Sequence, residues 1–439
     1  MRRNDGGSEI IKSILQKILY FLAKMTVKKY EPLVIGVTGS VGKTSTKEAI
    51  FTVLKHKYWV RKSEKSFNTE IGMPLAILGM ENHHKNIFAW TRDLTTSFLK
   101  IIFMAKYPEI LILEFGVQKP KDMDYLLGIA KPFIGVVTAI GEIPVHVEFF
   151  VGTREVAEEK SKLIKSLSNK GFAILNYDDE AVYEMKRKSK AHMMTFGFHE
   201  HSDLKIINYD LHINPNGKPE GLAIKVEYNG SIVPIRLNNC FGKPQAYSAA
   251  AACLVGLAMN MNLVEIAEAL KEFEPPAGRL RLMRGIRNSL ILDDTYNAAP
   301  EAMHMALDTL RDLPAKRKIA VLGDMLEIGG FTEQAHREIG MKAAKFCDII
   351  FTVGDRAKFI ADEARKISQN CEIKSFDNPV EVGKSLGPVI QEGDLILVKG
   401  SQGMRMEKTI EEIMAEPEKA KKLLVRQDNF WQNTPFSKV

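Results

Sequence analysis

The stretch "VIGVTGSVGKTSTKEAI", residues 34–50, decides the fold. An apolar segment leads through Gly36, Gly39 and Gly42 into Lys43, Thr44 and a helical pattern. Strand, glycine turn and helix start, in that order, make a phosphate-binding loop. The glycines let the backbone approach a polyphosphate, and the helix N-terminus offers aligned N–H donors. Lys43 is then placed for the β- and γ-phosphates and Thr44 for a magnesium ion. The common spacing G-x-x-x-x-G-K-[ST] asks for glycine where this chain has Val37. A purely structural βα turn is the competing reading, and Lys-Thr directly after Gly42 weighs against it.

Outward from the loop, short apolar strands alternate with helical stretches. "LVIGVTG", "EILILEFG", "FIGVVTAIG" and "GFAILNYDD" read as buried strands, with "KTSTKEAIFTVLKH" and "REVAEEKSKLIKSL" as helices. Residues 203–238 change character. They alternate polar and apolar residues around the turn pairs Asn216-Gly217 and Asn229-Gly230, as antiparallel hairpins do. "EPPAGRLRL" (274–282) reads as a domain boundary, after which "LILDDTY", "KIAVLGDM", "DIIFTVG" and "DLILVKG" restart the alternation. The expected architecture is α/β. It comprises an N-terminal amphipathic helix over 1–30 and a central P-loop ATPase domain over 31–274, whose mainly parallel sheet carries antiparallel hairpins. A smaller Rossmann-like α/β domain follows over 275–439.

Composition sets bounds on function. With 439 residues, 45% hydrophobic and 26% charged, the chain has ample material for two or three packed domains. A net charge of +7 suits anionic small substrates and is too weak to indicate a nucleic-acid partner. Cys240, Cys253, Cys347 and Cys371 are far apart, as expected of free thiols in a reducing cytosol. Near the N-terminus, Ile10, Ile11, Ile14, Leu15, Ile18, Leu19 and Leu22 recur at helical spacing among lysines. The lysines and the missing small-residue cleavage site argue against a signal peptide or a spanning helix. Residues 10–25 fit a peripheral contact with membrane or protein, and packing of this helix on its own domain is the preferred reading. "IFAWTRDLTTSFLKIIFMA" (87–105), broken by Arg92, Asp93 and Lys100, reads as a packed helix rather than a span.

Glu114 ends an apolar strand, where ligands of open α/β sheets gather. His146 and Lys160 follow. Singly, each has an ordinary reading as a cap, a loop histidine or a solvated lysine. The set "GVTGSVGKTSTKE", "FNTEIGMP", "LEFG", "HVEFF…VAEEKSKL", "AGRL…DDTYNAAP", "VLGDMLEIG…HREIG" and "VKGSQGMRME" resembles the Mur ligases, in family order from about residue 32 to about 410. These are ATP-dependent enzymes that add amino acids or dipeptides to the peptidoglycan precursor. The likeness is greatest to the branch that adds D-alanyl-D-alanine to the UDP-N-acetylmuramoyl-tripeptide. The family's loop is T-G-x-x-G-K-[ST], with its further glycine at Gly36, and that accounts for Val37.

The resemblance implies an ATP loop made of Gly39, Ser40, Val41, Gly42, Lys43, Thr44 and Ser45. It implies Mg²⁺ held by Thr44, Glu114 and His146, with Lys160 matching a lysine that several members carbamylate into an oxygen ligand. Lys43, Glu114, His146 and Lys160 are thus the implied catalytic set. Asn68 matches a loop residue near the second metal. Arg279, Asp294 and Asn297 match residues that contact ATP, with Tyr296 in the same motif. Lys399, Ser401, Arg405 and Glu407 match a family loop, of which Lys399, Ser401 and Arg405, with Asn68, are assigned to the substrate. The family's G-x-H-N-x-x-N helix start appears as "GKPQAYS", so Gln245 stands where an asparagine helps hold adenine. The usual N-terminal UDP-substrate domain is not expected in the thirty residues before the loop. The resemblance implies a cytoplasmic monomer acting on UDP-muramoyl peptide and D-Ala-D-Ala. A folylpolyglutamate or cyanophycin synthetase-like ligase is the alternative within the superfamily, and a non-catalytic nucleotide-binding scaffold the alternative outside it.

Overall fold

The computed structural model describes residues 6–64, 67–83, 86–144, 146–215 and 217–434, with side chains of the first helix from residue 12 onward. Ile10, Ile11 and Asn216 of the sequence patterns therefore lie outside the described side chains. The chain divides into two compact units. The first holds residues up to 139, 154–205 and 248–269; the second holds 140–153, 206–247 and 270 onward.

The first sheet contains β1 (Leu33–Thr38), β2 (Val60–Lys62), β3 (Ile110–Glu114), β4 (Ile134–Val137), β5 (Phe172–Asn176), β6 (His192–Gly197), β7 (Leu204–Ile213), β8 (Pro219–Tyr228) and β9 (Ser231–Asn238). Their order is β2-β3-β1-β4-β5-β6-β7-β8-β9. The run from β2 to β6 is parallel, and β3, β4 and nearly all of β1 and β5 are buried along their length. Burial on both faces is why these strands read as continuous apolar runs. β8 and β9 pair antiparallel, with Tyr228 opposite Ser231. Asn229 and Gly230 between them both have positive φ, as a two-residue hairpin turn with primed geometry requires.

Gly36 proves to be a packing residue inside β1. A Cβ there would lie 2.9 Å from the ring of Phe115 and 3.1 Å from Leu163. Val37 is fully buried beside it. The position that departs from the common P-loop spacing thus belongs to the strand core, and the loop proper begins at Gly39.

Helices of the first unit are α1 (Gly6–Tyr30), α2 (Lys43–Leu54), α3 (Gly72–Leu78), α4 (Ile87–Phe103), α5 (Asp122–Ile129), α6 (Thr153–Lys165) and the single turn α7 (Glu180–Tyr183). α8 (Lys243–Ala258) and α9 (Leu263–Leu270) follow the hairpin. Helix α1 packs on its own unit: Leu19 and Leu22 join Leu75, Leu78, Trp90 and Ile101 in one apolar cluster. Among the described residues, no helix is long and apolar enough to cross a membrane.

The second sheet contains β10 (Arg281–Arg284), β11 (Leu290–Asp294), β12 (Arg317–Gly323), β13 (Ile349–Val353), β14 (Glu372–Phe376) and β15 (Asp394–Lys399), in the order β10-β11-β15-β12-β13-β14. All its pairs are parallel except β10 with β11. Its helices are α10 (Pro300–Asp312), α11 (Thr332–Ala343), α12 (Lys358–Ile367), α13 (Pro379–Leu386) and α14 (Glu407–Ile413). Val382, Leu386, Ile410 and Ile413 of α13 and α14 pack against Ile319, Phe351 and Ile396 of the sheet.

Leu19 is 0% exposed in the α1 cluster, whereas Ile14 on the same helix is 53% exposed. Leu19→Ala should lower unfolding free energy by about 2–4 kcal/mol, cavity included, while Ile14→Ala should change it by less than about 0.5 kcal/mol. Urea denaturation of the full chain measures both.

Candidate active site

In the first unit, the parallel register brings the loop and Glu114 to the same end of the sheet. Val37 of β1 is level with Glu114 of β3, and Thr38 with Val137 of β4. β1 lies between β3 and β4, so successive connections leave it on opposite sides. Ligands of open α/β sheets bind at the carboxyl ends of strands around such a switch point.

The loop itself is anchored by the end of β4. Ser40 N and Val41 N donate to Ala139 O at 2.6 and 3.2 Å. Thr138 Oγ1 lies 2.6 Å from Val41 O and 3.1 Å from Thr38 O. Gly39 (φ 143°) passes so close that a Cβ would lie 2.1 Å from Thr138 Oγ1. Gly42 (φ 87°) caps α2 in the left-handed region. Lys43 Nζ donates to Gly39 O at 2.8 Å and Ser40 O at 3.3 Å, so it folds back over the loop. Ser40 Oγ is buried without a hydrogen-bond partner among the described residues. Ser45 is buried in the first turn of α2.

Thr44 Oγ1 donates to Glu114 Oε2 at 3.4 Å. Lys47 Nζ lies 3.2 Å from Glu114 Oε1 as an ion pair without hydrogen-bond geometry, and donates to Ser63 O at 2.6 Å. Lys47 is fully buried and was missed in the sequence reading; its only signal was a lysine one helical turn after Lys43. Asn68 lies against the strand end. Gly116 N donates to Asn68 O at 3.0 Å, and a Cβ on Gly116 would collide with the Asn68 side chain at 2.7 Å.

Lys160, on α6, is 1% exposed. No hydrogen bond or ion pair to its amine is found among the described residues. Burial pushes that amine well below the usual lysine range, and the Lys43 ammonium pushes it in the same direction.

In the second unit, His146 heads a short turn at φ 67°. Its Nδ1 lies 2.6 Å from Glu327 Oε2. That contact holds the Glu327 carboxyl below its usual range and leaves Nε2 as the ring nitrogen for another ligand. Glu327 sits in the loop after β12, which His336 of α11 pins in place. Met325 N donates to His336 Nε2 at 3.0 Å, and the other ring nitrogen meets Thr332 O at 2.6 Å.

The "AGRL" and "DDTYN" motifs are joined by backbone and side chain. Gly278 N donates to Asp293 Oδ2 at 3.0 Å, Leu280 N to Asp294 Oδ1 at 3.2 Å, and Tyr296 N to Gly278 O at 3.1 Å. The Arg279 guanidinium lies 4.0 Å above the Tyr296 ring. Gln245 Nε2 donates to Arg279 O at 2.9 Å, and Gln245 Oε1 is buried without a hydrogen-bond partner among the described residues. Lys399 Nζ pairs with Asp294 Oδ2 at 2.6 Å and donates to Asn297 O at 2.8 Å. Asn297 Oδ1 accepts from Gln402 N, and Ser401 Oγ accepts from Leu326 N at 2.8 Å. Arg405 stands apart, buried between Glu407 and the carbonyls of Trp431 and Thr434.

The donors suit a hard cation. Among the described residues no three His, Cys, Asp or Glu side chains gather around one point. Mg²⁺ rarely asks for such a cage: one or two carboxylates with a hydroxyl, water and phosphate oxygens suffice. Thr44 and Glu114 are of that kind.

Two family models match the chain. The Mur ligase middle domain model matches residues 37–90 and 91–256, and the Mur ligase glutamate ligase domain model matches 278–402. The UDP-N-acetylmuramoyl-tripeptide--D-alanyl-D-alanine ligase of Bacillus subtilis is 29% identical over 399 residues, covering 90% of this chain and 79% of that protein. Its namesake from Rickettsia prowazekii is 27% identical over 405 residues, covering 90% and 80%. The crystal structure of MurF ligase from Thermotoga maritima in complex with ADP superposes with a TM-score of 0.75 at 27% identity, covering 92% of this chain and 84% of that one. Folylpolyglutamate synthase from Mycobacterium tuberculosis, at 14% identity and a TM-score of 0.63, shares the fold.

His336 yields a pH prediction. Burial lowers its imidazole from 6.5 to about 4, so the folded chain keeps it neutral while the unfolded chain protonates it. Stability should be fully present above pH 6.5, fall as the pH drops, and level off near 4, a loss on the order of 2–3 kcal/mol. Denaturant melts of His336→Gln should show a shallower slope across that window than the parent chain.

Proposed function

The chain belongs to the Mur ligase family, and from that premise we propose that it joins D-alanyl-D-alanine to UDP-N-acetylmuramoyl-tripeptide, using ATP, in peptidoglycan precursor synthesis. The observation that carries the reading is the loop over 39–44, set level with Glu114 at the end of a buried parallel sheet. A nucleotide-binding scaffold without activity would need neither a carboxylate there nor a buried amine at Lys160. A folate-type ligase is supported at the level of the fold alone.

In this reading the substrate carboxylate takes the γ-phosphoryl group, and the incoming amine then displaces phosphate from the acyl carbon. Charge neutralisation and alignment are the main demands of such a transfer. Lys43 would exchange its bonds to Gly39 O and Ser40 O for phosphate oxygens. The N-terminal turn of α2, with Ser40 and Ser45, would line the polyphosphate. Thr44 and Glu114 would hold Mg²⁺, and His146 is assigned as a metal ligand through Nε2. That ion, when bound, supplies positive charge to the reacting oxygens.

Lys160 is assigned as a carbamylated residue. A neutral amine is the form that adds to CO₂, and burial beside Lys43 favours it. Asn68 is assigned to the acyl substrate. Arg279, Asp294, Asn297 and Gln245 are assigned to the nucleotide, and Lys399, Ser401 and Arg405 to positioning the ligase loop. On this reading residues 31–274 handle ATP and 275–439 complete ligation. The enzyme acts in the cytoplasm as a monomer.

ADP release tests the reading. It should require UDP-muramoyl-tripeptide and D-Ala-D-Ala together, should not respond to folate with glutamate, and should fall by about 10²-fold or more in Lys43→Ala. Release driven by the folate pair would sink the assignment. Carbon-13 bicarbonate should give a carbamate resonance in the parent chain that disappears in Lys160→Met; a parent spectrum without it would remove Lys160 from the metal set.

A further inference from the structure

Helix α4 is apolar on two sides. One side, with Trp90, Leu94 and Ile101, packs into the cluster built around α1. The other carries Phe88 (81% exposed), Leu99, Ile102 and Phe103 (78% exposed), which recur at helical spacing in solvent. Helix α1 likewise leaves Ile14, Ile18 and Phe21 exposed. These two helices and Met104 carry nearly half of the large exposed apolar side chains among the described residues. Such concentration marks an interaction surface rather than ordinary scatter.

Charge identifies the partner. Residues 10–30 carry five lysines and no carboxylate, while residues 86–108 carry Arg92, Lys100 and Lys106 against Asp93 alone. Together these stretches amount to +7, the formal net charge of the whole chain, so the remainder is balanced. Asp93 is itself engaged by His83 at 2.7 Å and by Arg92 at 2.8 Å.

Three hydroxyls on the α4 face are already satisfied. Thr91, Thr95 and Thr96 donate their hydroxyls back to Ile87 O, Thr91 O and Arg92 O at 3.0, 2.8 and 2.8 Å. At the end of α4, Lys29 Nζ donates to Ile102 O at 3.3 Å and Met104 O at 3.1 Å, and Tyr30 OH to Lys100 O at 3.1 Å. A helix end with its carbonyls capped can approach hydrocarbon without stranding them. A partner protein recognised through polar contacts would find few unmet groups here.

We propose that the exposed faces of α1 and α4 dock the enzyme onto an anionic lipid bilayer, the aromatic and aliphatic side chains entering the headgroup boundary while the lysines other than Lys29 meet lipid phosphates. An apolar face with a basic surround and no spanning segment is the pattern of an interfacial anchor. The inference is independent of which bond the enzyme makes.

Vesicle flotation of the full chain tests it. Binding should be strong to vesicles containing about a third anionic phospholipid, weak to phosphatidylcholine alone, and reduced by added salt. Phe88→Ser with Phe103→Ser should lower the bound fraction roughly tenfold while leaving the melting temperature and ADP release unchanged. If that pair melts early, Phe103→Ser alone serves, with a smaller loss expected. Failure of the full chain to bind anionic vesicles, or unchanged binding by the folded variants, would overturn the proposal. So would sedimentation showing that the same variants dissolve a dimer while vesicles capture nothing, which would give the face to a second copy of this chain.

Discussion

A phosphate loop has almost no side chains with which to hold its own shape, and here the carboxyl end of β4 holds it instead. Ala139 O receives two loop N–H groups, and Thr138 Oγ1 reaches the carbonyls of Thr38 and Val41. The loop is therefore as rigid as the sheet behind it. The two donors given to Ala139 are spent on shape, which leaves the helix end, Lys43 and Ser40 Oγ to meet an anion. Gly39 is required by this arrangement rather than by the phosphate, since any Cβ there would strike Thr138. The parallel register then fixes where Glu114 emerges relative to the loop. Sheet packing, loop shape and the position of the carboxylate are one constraint seen at three scales.

That constraint explains what was legible in the sequence. Central strands buried on both faces must be apolar throughout, so β1, β3, β4 and β5 stand out as runs. Edge and short strands carry no such demand. β2 is three partly buried residues, and β14 mixes exposed and half-buried ones without strict alternation, so neither leaves a pattern. Glycines were legible as glycines but not as to purpose: Gly36 makes room for Phe115, and Gly116 for Asn68. Lys47 and Glu327 were invisible as site residues because their meaning lies in partners far along the chain, Glu114 and His146.

Motif membership also does not reveal the kind of role. Arg405 and Arg426 converge on the buried carboxylate of Glu407. Arg426 further donates to Tyr296 O at 3.0 Å, and Arg405 to the carbonyls of Trp431 and Thr434. Each charge is paired, and Arg405 Nη2 is left buried without a hydrogen-bond partner among the described residues; removing one partner of such a buried pair is costly. This cluster ties the end of the chain to the backbone of the "DDTYN" segment. Its charges are used to hold a loop, which is a different task from meeting a ligand even when the residues share one motif.

The contrast between Lys160 and Lys399 carries the point to chemistry. Both are 1% exposed, and burial lowers both amines. Lys399 has Asp294 at 2.6 Å and the Asn297 carbonyl at 2.8 Å, which favour the charged form and fix its position. Lys160 meets no such partner among the described residues; after burial, the Lys43 charge acts on it most strongly, with Glu159 and Asp122 acting the other way. An ammonium between two acceptors is a strut. An amine desolvated near a positive charge is pushed toward its neutral form. Equal burial thus comes with opposite surroundings, and the neighbouring charge, not the residue type or its depth, separates them.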